Sequence, residues 1–323
     1  MDDKKYDILV VGELNVDLIL NKIQSFPEMG KEKIAGDMSL VLGSSSAILA
    51  SNLSSLGAKV GFVGVLGKDS FGDLALKTLH DKGVDTSLII KSEEYATGLT
   101  VVMSFDNDRA NVTYAGAMEA LTIDDVTDDI MSQARHLHFS SVFLQTGIMN
   151  DLVLLFERAK ALGLTTSLDP QWDPEENWNL DLNGLLPHVD FFMPNVQELT
   201  AITGEEDVEL AVSSVNSPNA IIVKMGTKGA CVYHSEGSNT CPAFLNKNVV
   251  DTVGAGDSFN AGFLFRFLQG APVSECMVFG AFAGAVNTTE AGGTGAFESY
   301  SGVIEIMKNK FGYTEDKSYE ITR

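Results

Sequence analysis

Short β-rich runs alternate with helical patterns along most of this chain, and that alternation restricts the fold more than any other property of the sequence. Residues 6–11, 60–66, 137–140, 165–168, 191–193, 220–223 and 230–233 are short apolar runs of strand type. Residues 46–56, 71–82, 151–162 and 196–203 carry apolar side chains at helical spacing, and the first two stop at Gly57 and Gly83. Two long apolar helices, 255–268 and 273–290, and an amphipathic one near 303–310 complete the pattern. Strands that are apolar on both faces need cover on both. The expected fold is therefore α/β, an open and mainly parallel sheet with helices on each side. Ligands of such sheets bind beyond the carboxyl ends of the strands.

Two β-rich stretches, about 13–41 and 97–116, break the alternation. Residues 97–104 and 110–115 read as a hairpin turning at Asp106-Asn107-Asp108. These stretches predict a small separate sheet, a lid over the main domain. The whole of 1–312 is then one domain, and the acidic segment 313–323 reads as a mobile tail. A length of 323 residues suits a large α/β domain with an appendage. No basic segment leads into an apolar run at the start, and no apolar stretch approaches the roughly 18 residues a membrane span requires. The expected location is the cytoplasm, so the sequons at Asn52, Asn111 and Asn287 read as chance. Cys231, Cys241 and Cys276 are odd in number, lack metal-type spacing and read as reduced. A net charge of −22 argues against nucleic-acid or anionic-membrane partners. It does not exclude an anionic ligand held by local N–H groups.

Chemistry concentrates in Asp251-Thr252-Val253-Gly254-Ala255-Gly256-Asp257-Ser258-Phe259. A glycine-containing turn runs straight into a helix, whose free N–H groups and dipole favour an anion. Asp257 places a carboxylate at that spot, a base beside a phosphate site, as a small-molecule kinase needs. This string resembles the C-terminal signature of the ribokinase-like (PfkB) family of carbohydrate kinases, and the similarity runs from Gly12 to about Gly295. The resemblance implies a ribokinase-like fold with a β-lid and ATP-dependent phosphorylation of a sugar-like alcohol. Asp257 would be the general base, and Gly254, Ala255 and Gly256 the anion hole.

The same resemblance assigns the other candidates. Asn195 and Glu198, in Asn-x-x-Glu, would arrange Mg²⁺ and its waters around the ATP phosphates; the residues alone also read as a helix start after Pro194. Asp17, in Gly12-Glu13-Leu14-Asn15-Val16-Asp17, would grip sugar hydroxyls. The segment from Gly43 to Gly57 matches the family's first signature, with Gly43 and Ser44 at the substrate. It departs from the pattern twice: Ser44 replaces a second glycine, and Ile48 replaces an Asn that touches substrate. Ser44, Ser45 and Ser46 would supply replacement hydroxyls or cap the helix. Asn111 would contact substrate from the lid. Lys224 and Gly226 would lie near the nucleotide phosphates, and Asn287 and the 291–295 run near the adenine. Asp251 and Val253 would border a K⁺ site, and the lid would serve a homodimer.

Several motifs are excluded. Gly64 to Gly72 imitates a phosphate-binding P-loop, but Phe62 and Asp69 occupy required positions. No Gly-x-Gly-x-x-Gly follows the first strand. His136 and His138 share a strand face without a third ligand. The expected acceptor is an unphosphorylated sugar or sugar acid other than ribose. Rival readings are a nucleoside or phosphosugar kinase, or a non-catalytic sugar-binding regulator. A phosphosugar site calls for clustered cations, and near the lid there are Lys31, Lys33 and Arg109.

Overall fold

The computed structural model describes residues 4–105, 109–215 and 219–314. In chain order the elements are β1 (Tyr6–Val11), β2 (Asn15–Asn21), β3 (Asp37–Leu42), α1 (Ser45–Leu56), β4 (Val60–Val63), β5 (Val65–Gly67), α2 (Ser70–Asp81), β6 (Ile90–Ser92), β7 (Gly98–Ser104) and β8 (Arg109–Tyr114). There follow α3 (Asp128–Met131), β9 (Ala134–Ser140), α4 (Leu152–Ala161), β10 (Thr165–Asp169), α5 (Leu182–Leu185), β11 (Phe191–Phe192), α6 (Val196–Thr203), α7 (Val208–Ser214) and β12 (Ala220–Lys224). The last are β13 (Ala230–His234), β14 (Gly237–Cys241), α8 (Ala255–Leu268), α9 (Val273–Asn287) and α10 (Tyr300–Phe311).

The main sheet has eight strands in the order β14-β13-β12-β11-β10-β9-β1-β4. Pairing is parallel from β12 through β4 and antiparallel at β13 and β14. Alternate residues of β1 enter opposite cores, as the period of a strand requires. Ile8 and Val10 pack with α1, α2, α8, α9 and α10, whereas Leu9 and Val11 pack with α4 to α7. The helices α8 and α9 approach closely because small residues line the contact: a Cβ on Gly262 would lie 2.6 Å from the Ala283 Cβ.

The separate lid sheet has the order β3-β2-β7-β8. Its register puts Asp17, Val41, Thr100 and Thr113 on one rung. The opposite face carries Leu18, Leu40, Val101 and Val112 on the neighbouring rung. That second face is apolar, yet Met38, Val112 and Tyr114 are more than half exposed, at 59%, 61% and 57%.

The structure corrects several boundaries. The 60–66 run splits at Gly64, whose carbonyl accepts from Ile90 N at 2.9 Å, and β5 pairs with β6 instead of continuing in the main sheet. A side chain at 64 would lie 2.5 Å from the Gly12 carbonyl, so the chain bends where β1 ends. Helix α9 stops at Asn287, not at 290, because the N–H groups of Thr288, Thr289 and Glu290 bond three residues back, to Ala285, Val286 and Asn287, in a tighter closing turn. The polar strand β14 had no apolar alternation to announce it. The expected turn at Asp106-Asn107-Asp108 lies outside the described residues, as does all of the expected tail beyond residue 314. No helix among the described residues is long and apolar enough to cross a membrane.

Candidate active site

Loops leaving the carboxyl ends of β1, β9, β10, β11 and β12 converge beneath the lid. Three non-glycine residues there hold left-handed backbone: Ser44 (φ 70), Ser141 (φ 59) and Gln171 (φ 59). Such conformations cost about 1–3 kcal/mol each and persist only where the surroundings enforce them.

Gly254 caps α8 with φ 75, and a side chain there would lie 2.6 Å from the Gly293 Cα. This close approach sets Ala255, Gly256 and Asp257 in the first turn of α8. Asp257 is buried, and its Oδ1 accepts from Gln171 Nε2 at 3.1 Å. Burial first, then the charge of Asp169, pushes its carboxyl up to about 7, while Lys224 and the Ser45 hydroxyl act in the opposite sense. Lys224 ends β12 and forms a buried ion pair with Asp169. Burial opposes its charge, but Asp169, Glu198 and Asp257 together hold its ammonium above the ordinary range.

Beside this group lies a cavity of 450 Å³ lined by Lys224, Gly226, Phe244, Ala255, Gly256 and Gly284, among others. Apolar walls with a cation and helix N–H groups at one end suit a base joined to phosphates. Asn287 does not line it. Its Nδ2 donates to the Val253 carbonyl at 2.6 Å and its Oδ1 accepts from Ser258 Oγ at 2.9 Å, and the neighbouring Gly284, Ala285 and Thr288 face the cavity instead. Asn287 therefore braces the turn at Gly254 from behind.

Asn195 and Glu198 form a reciprocal capping box on α6. Asn195 Oδ1 accepts from Glu198 N at 2.9 Å, and Glu198 accepts from Asn195 N at 2.8 Å and from Nδ2 at 2.6 Å. Burial, followed by the charge of Asp169, pushes the Glu198 carboxyl up to about 7, with Lys224 opposing. Asp251 bridges two segments: its oxygens accept from Val253 N and Gly292 N, each at 2.9 Å.

On the lid side, Asp17 is buried and accepts from Asn15 Nδ2 at 3.3 Å. Burial raises its carboxyl to about 6; the Asn15 bond and Arg109 oppose this, and Glu13 and Asp251 add to it. Gly43 lies so close that a Cβ there would be 2.3 Å from the Asp17 Oδ1. Ser44 acts as the helix cap: its Oγ accepts from Ala47 N at 2.9 Å and donates to the Glu13 carbonyl at 2.6 Å. Ser46 is buried and bonds to the Glu13 carboxylate and to Ser140. Ile48 packs against Gly293 and Gly254, where it buttresses the turn into α8. Asn111 shares the Asp17 face of the lid but is exposed, paired in register with Val102.

Glu13 and Asn260 are members of this site that pattern reading overlooked, whereas Gln171 belongs to the Asp169-Pro170-Gln171-Trp172-Asp173 segment, whose place after a strand lets it point toward the phosphates. Glu13 is buried and accepts from Ser141 Oγ at 2.9 Å. Asn260 Nδ2 donates to Asp169 at 2.5 Å, one helical turn after Asp257. That three-residue spacing, and Asp169-Pro170 following a strand, were the available signals.

Comparison with known proteins places the geometry in context. The family whose sequence profile matches is the pfkB family carbohydrate kinase, over residues 5–299. The chain is 26% identical to a 5-dehydro-2-deoxygluconokinase of Geobacillus thermodenitrificans, covering 88% of each chain. It is 27% identical to a nucleoside kinase of Methanothermobacter thermautotrophicus, covering 87% of each. Its structure resembles that of Arabidopsis thaliana ribokinase complexed with ribose and ATP, with a TM-score of 0.80 and 25% identity over 94% of this chain and 99% of that one.

Proposed function

The chain belongs to the pfkB family of carbohydrate kinases, and from that premise we propose that it phosphorylates a hydroxyl of a small unphosphorylated sugar or sugar acid with Mg·ATP, Asp257 serving as general base. It is an ATP-dependent sugar kinase by family and by relatives. The observation that carries the finer reading is the position of the Asp257 carboxylate. It directly follows Gly256 on the cavity wall, and Glu13 of the lid-side recess is among the charges acting on it.

In this reading the nucleotide occupies the 450 Å³ cavity, its phosphates against Lys224, Gly226 and the N–H groups of Gly254, Ala255 and Gly256. The acceptor lies under the lid against Asp17, Gly43 and the main-chain bend at Ser44, with Asn111 reaching it from β8. The acceptor hydroxyl gives its proton to Asp257 as the phosphoryl group is transferred. A carboxyl held near 7 is matched to that exchange at neutral pH. The N–H groups stabilise charge building on the transferring group. Lid closure keeps water from competing.

Bound Mg²⁺ would supply charge neutralisation at the phosphates. Mg²⁺ keeps several of its waters when bound. Glu198, with both oxygens already accepting from Asn195, fits contact through such water. For K⁺ the Asp251 and Val253 oxygens are the proposed donors, and each already has one partner, so the ion would share them. Lys224 already faces Asp169, Glu198 and Asp257, and Arg109 acts on Asp17, so a second substrate phosphate is disfavoured.

A coupled ADP-release assay over free sugars, sugar acids, nucleosides and phosphosugars tests the reading, with and without Mg²⁺ and in sodium or potassium buffer. Expected are Mg²⁺-dependent turnover on an unphosphorylated sugar or sugar acid, weak use of ribose, and a loss of about 10³-fold or more in Asp257→Asn. A preference for a phosphosugar would overturn the acceptor assignment, and near-normal turnover in Asp257→Asn would remove that residue from the mechanism. Equal rates in sodium and potassium would remove the K⁺ site alone.

A further inference from the structure

Asp169 lies at the end of β10 with no exposed surface, and nothing in the mechanism above uses it. It is nevertheless the hub of the site. One carboxylate oxygen, Oδ2, takes the Lys224 ammonium, Asn260 Nδ2 at 2.5 Å and Gln171 Nε2 at 3.1 Å. The same Gln171 Nε2 reaches Asp257 Oδ1 at 3.1 Å. Gln171 holds left-handed backbone at φ 59, a cost that its two carboxylate contacts explain. The other oxygen of Asp169, Oδ1, is buried without a hydrogen-bond partner. A buried carboxylate sharing one oxygen among three donors is held for the positions it imposes on them.

We propose that Asp169 is a positioning residue: it anchors the Lys224 ammonium beside Gly256 and holds the Asp257 carboxylate in place through the Gln171 amide that the two carboxylates share. The proposal rests on the assignment of Asp257 as base, but its physical core can be read without turnover. The groups facing Asp257 are Asp169 on β10, Lys224 on β12, Glu13 after β1, Ser45 on α1 and Gln171 after β10. Asp257 and Glu198 on α6 also act on each other. Of the charged groups among these, Asp169 has the largest influence, second only to burial itself. Removing its charge lets Asp257 ionise more readily, and a Lys224 freed from Asp169 still faces Glu198 and Asp257, which acts in the same direction. Removing the Gln171 donor instead withdraws a hydrogen bond to the ionised form and must act oppositely.

The test follows the ¹³C carboxyl resonance of Asp257 against pH in the ligand-free full chain, assigned by its loss in Asp257→Asn. Asp169→Asn should move the Asp257 midpoint down from about 7 by roughly one pH unit. Gln171→Leu should move it up. A midpoint in Asp169→Asn that stays within about 0.3 of the parent or rises would overturn the proposal. If Asp169→Asn does not fold, Gln171→Leu decides: an unchanged or lowered midpoint there overturns the bridge. A chain that titrates as expected but transfers no phosphate to any acceptor would leave this network standing and fail the kinase assignment instead.

Discussion

Gly43 and Asp17 form a tight pair at the proposed acceptor side, since any Cβ at 43 would lie 2.3 Å from the Asp17 Oδ1. Asp17 cannot retreat without leaving Asn15, whose Nδ2 it accepts and which also donates to Thr100 Oγ1 at 2.8 Å. Gly43→Ala should therefore act as a milder form of Asp17→Ala. Both should raise the acceptor KM by about tenfold or more while the KM for ATP changes by less than about threefold. Steady-state kinetics with both substrates varied checks this, and equal losses for the two substrates would detach Asp17 from the acceptor. Residue-scale reading of the sequence singled out Asp17 and Asp257 and left the serines two roles, replacement hydroxyls or a helix cap, of which the structure shows the cap at Ser44. Ser44 and Ser46 are committed to Glu13 and the helix start, so replacement hydroxyls for the lost Asn at position 48 do not come from them. No pattern in a sequence says which partner a hydroxyl will choose, because that partner, Glu13, arrives from 31 residues away in the chain.

Helix α6 carries both a structural and a functional assignment in the same four residues. The capping box of Asn195 and Glu198 satisfies free N–H groups at the helix start. Asn195→Ala should cost about 1 kcal/mol of stability. Asn195→Ser keeps the oxygen that caps Glu198 N and should cost less than about 0.5 kcal/mol. Denaturant melts of both, set beside the Mg²⁺ concentration needed for half-maximal rate, separate the roles. If both variants need several-fold more Mg²⁺ while only Asn195→Ala loses stability, the segment serves the metal as well as the helix. An unchanged Mg²⁺ requirement in both would leave the capping box as its whole function. The helix itself was legible because a proline, a capping residue and an Asn-x-x-Glu spacing are local signals. Strand β14 was not, because Gly237–Cys241 is strand only by virtue of pairing with β13.

At the scale of the molecule, two properties of the fold predict measurable behaviour. The outer face of the lid joins Leu18, Met38, Leu40, Val101, Val112 and Tyr114 into an apolar sheet surface. A second copy of the lid is the proposed cover. Sedimentation should show a dimer that Val112→Lys weakens by tenfold or more, about 1.4 kcal/mol, and a monomeric parent chain would refute it. The second property is a set of raised carboxyls: Asp17 near 6, and Asp257 and Glu198 near 7. Each binds its proton more tightly in the folded chain than in the unfolded one. The stability they add is complete below the ordinary carboxylate range near 4 and is lost as pH rises through 6 to 7. Asp69 and Asp85 are shifted downward, so their contribution changes only below that window, whereas His136 and His138, which burial holds below the ordinary imidazole range, cost stability inside it as pH falls and offset part of what the three carboxyls add. The ligand-free chain should therefore be more stable at about pH 5 than at about pH 8, by on the order of 2 kcal/mol. Denaturant melts of the parent and of Asp257→Asn at the two pH values check this: the variant should lose part of the preference for the lower pH, and an equal preference in both would mean the Asp257 carboxyl is not raised.

The sequence by itself determined the layers of this fold and the identity of its central motif. Buried strands and amphipathic helices are set by local periodicity, and the turn from Asp251 to Phe259 is a contiguous string whose glycines and helix start act within a few residues. Tertiary structure alone decided what surrounds that string. Asp169, Lys224, Gln171, Asn260 and Glu13 come from separate strand ends and from α8, and meet because parallel strands deliver their carboxyl ends to one edge. The raised carboxyls at Asp17, Asp257 and Glu198 are likewise invisible in the chain, since burial and neighbouring charge exist only after folding. Even the apolar Ile48, a departure from the family pattern when read in sequence, acquires its reason only where it meets Gly254 and Gly293 across the fold.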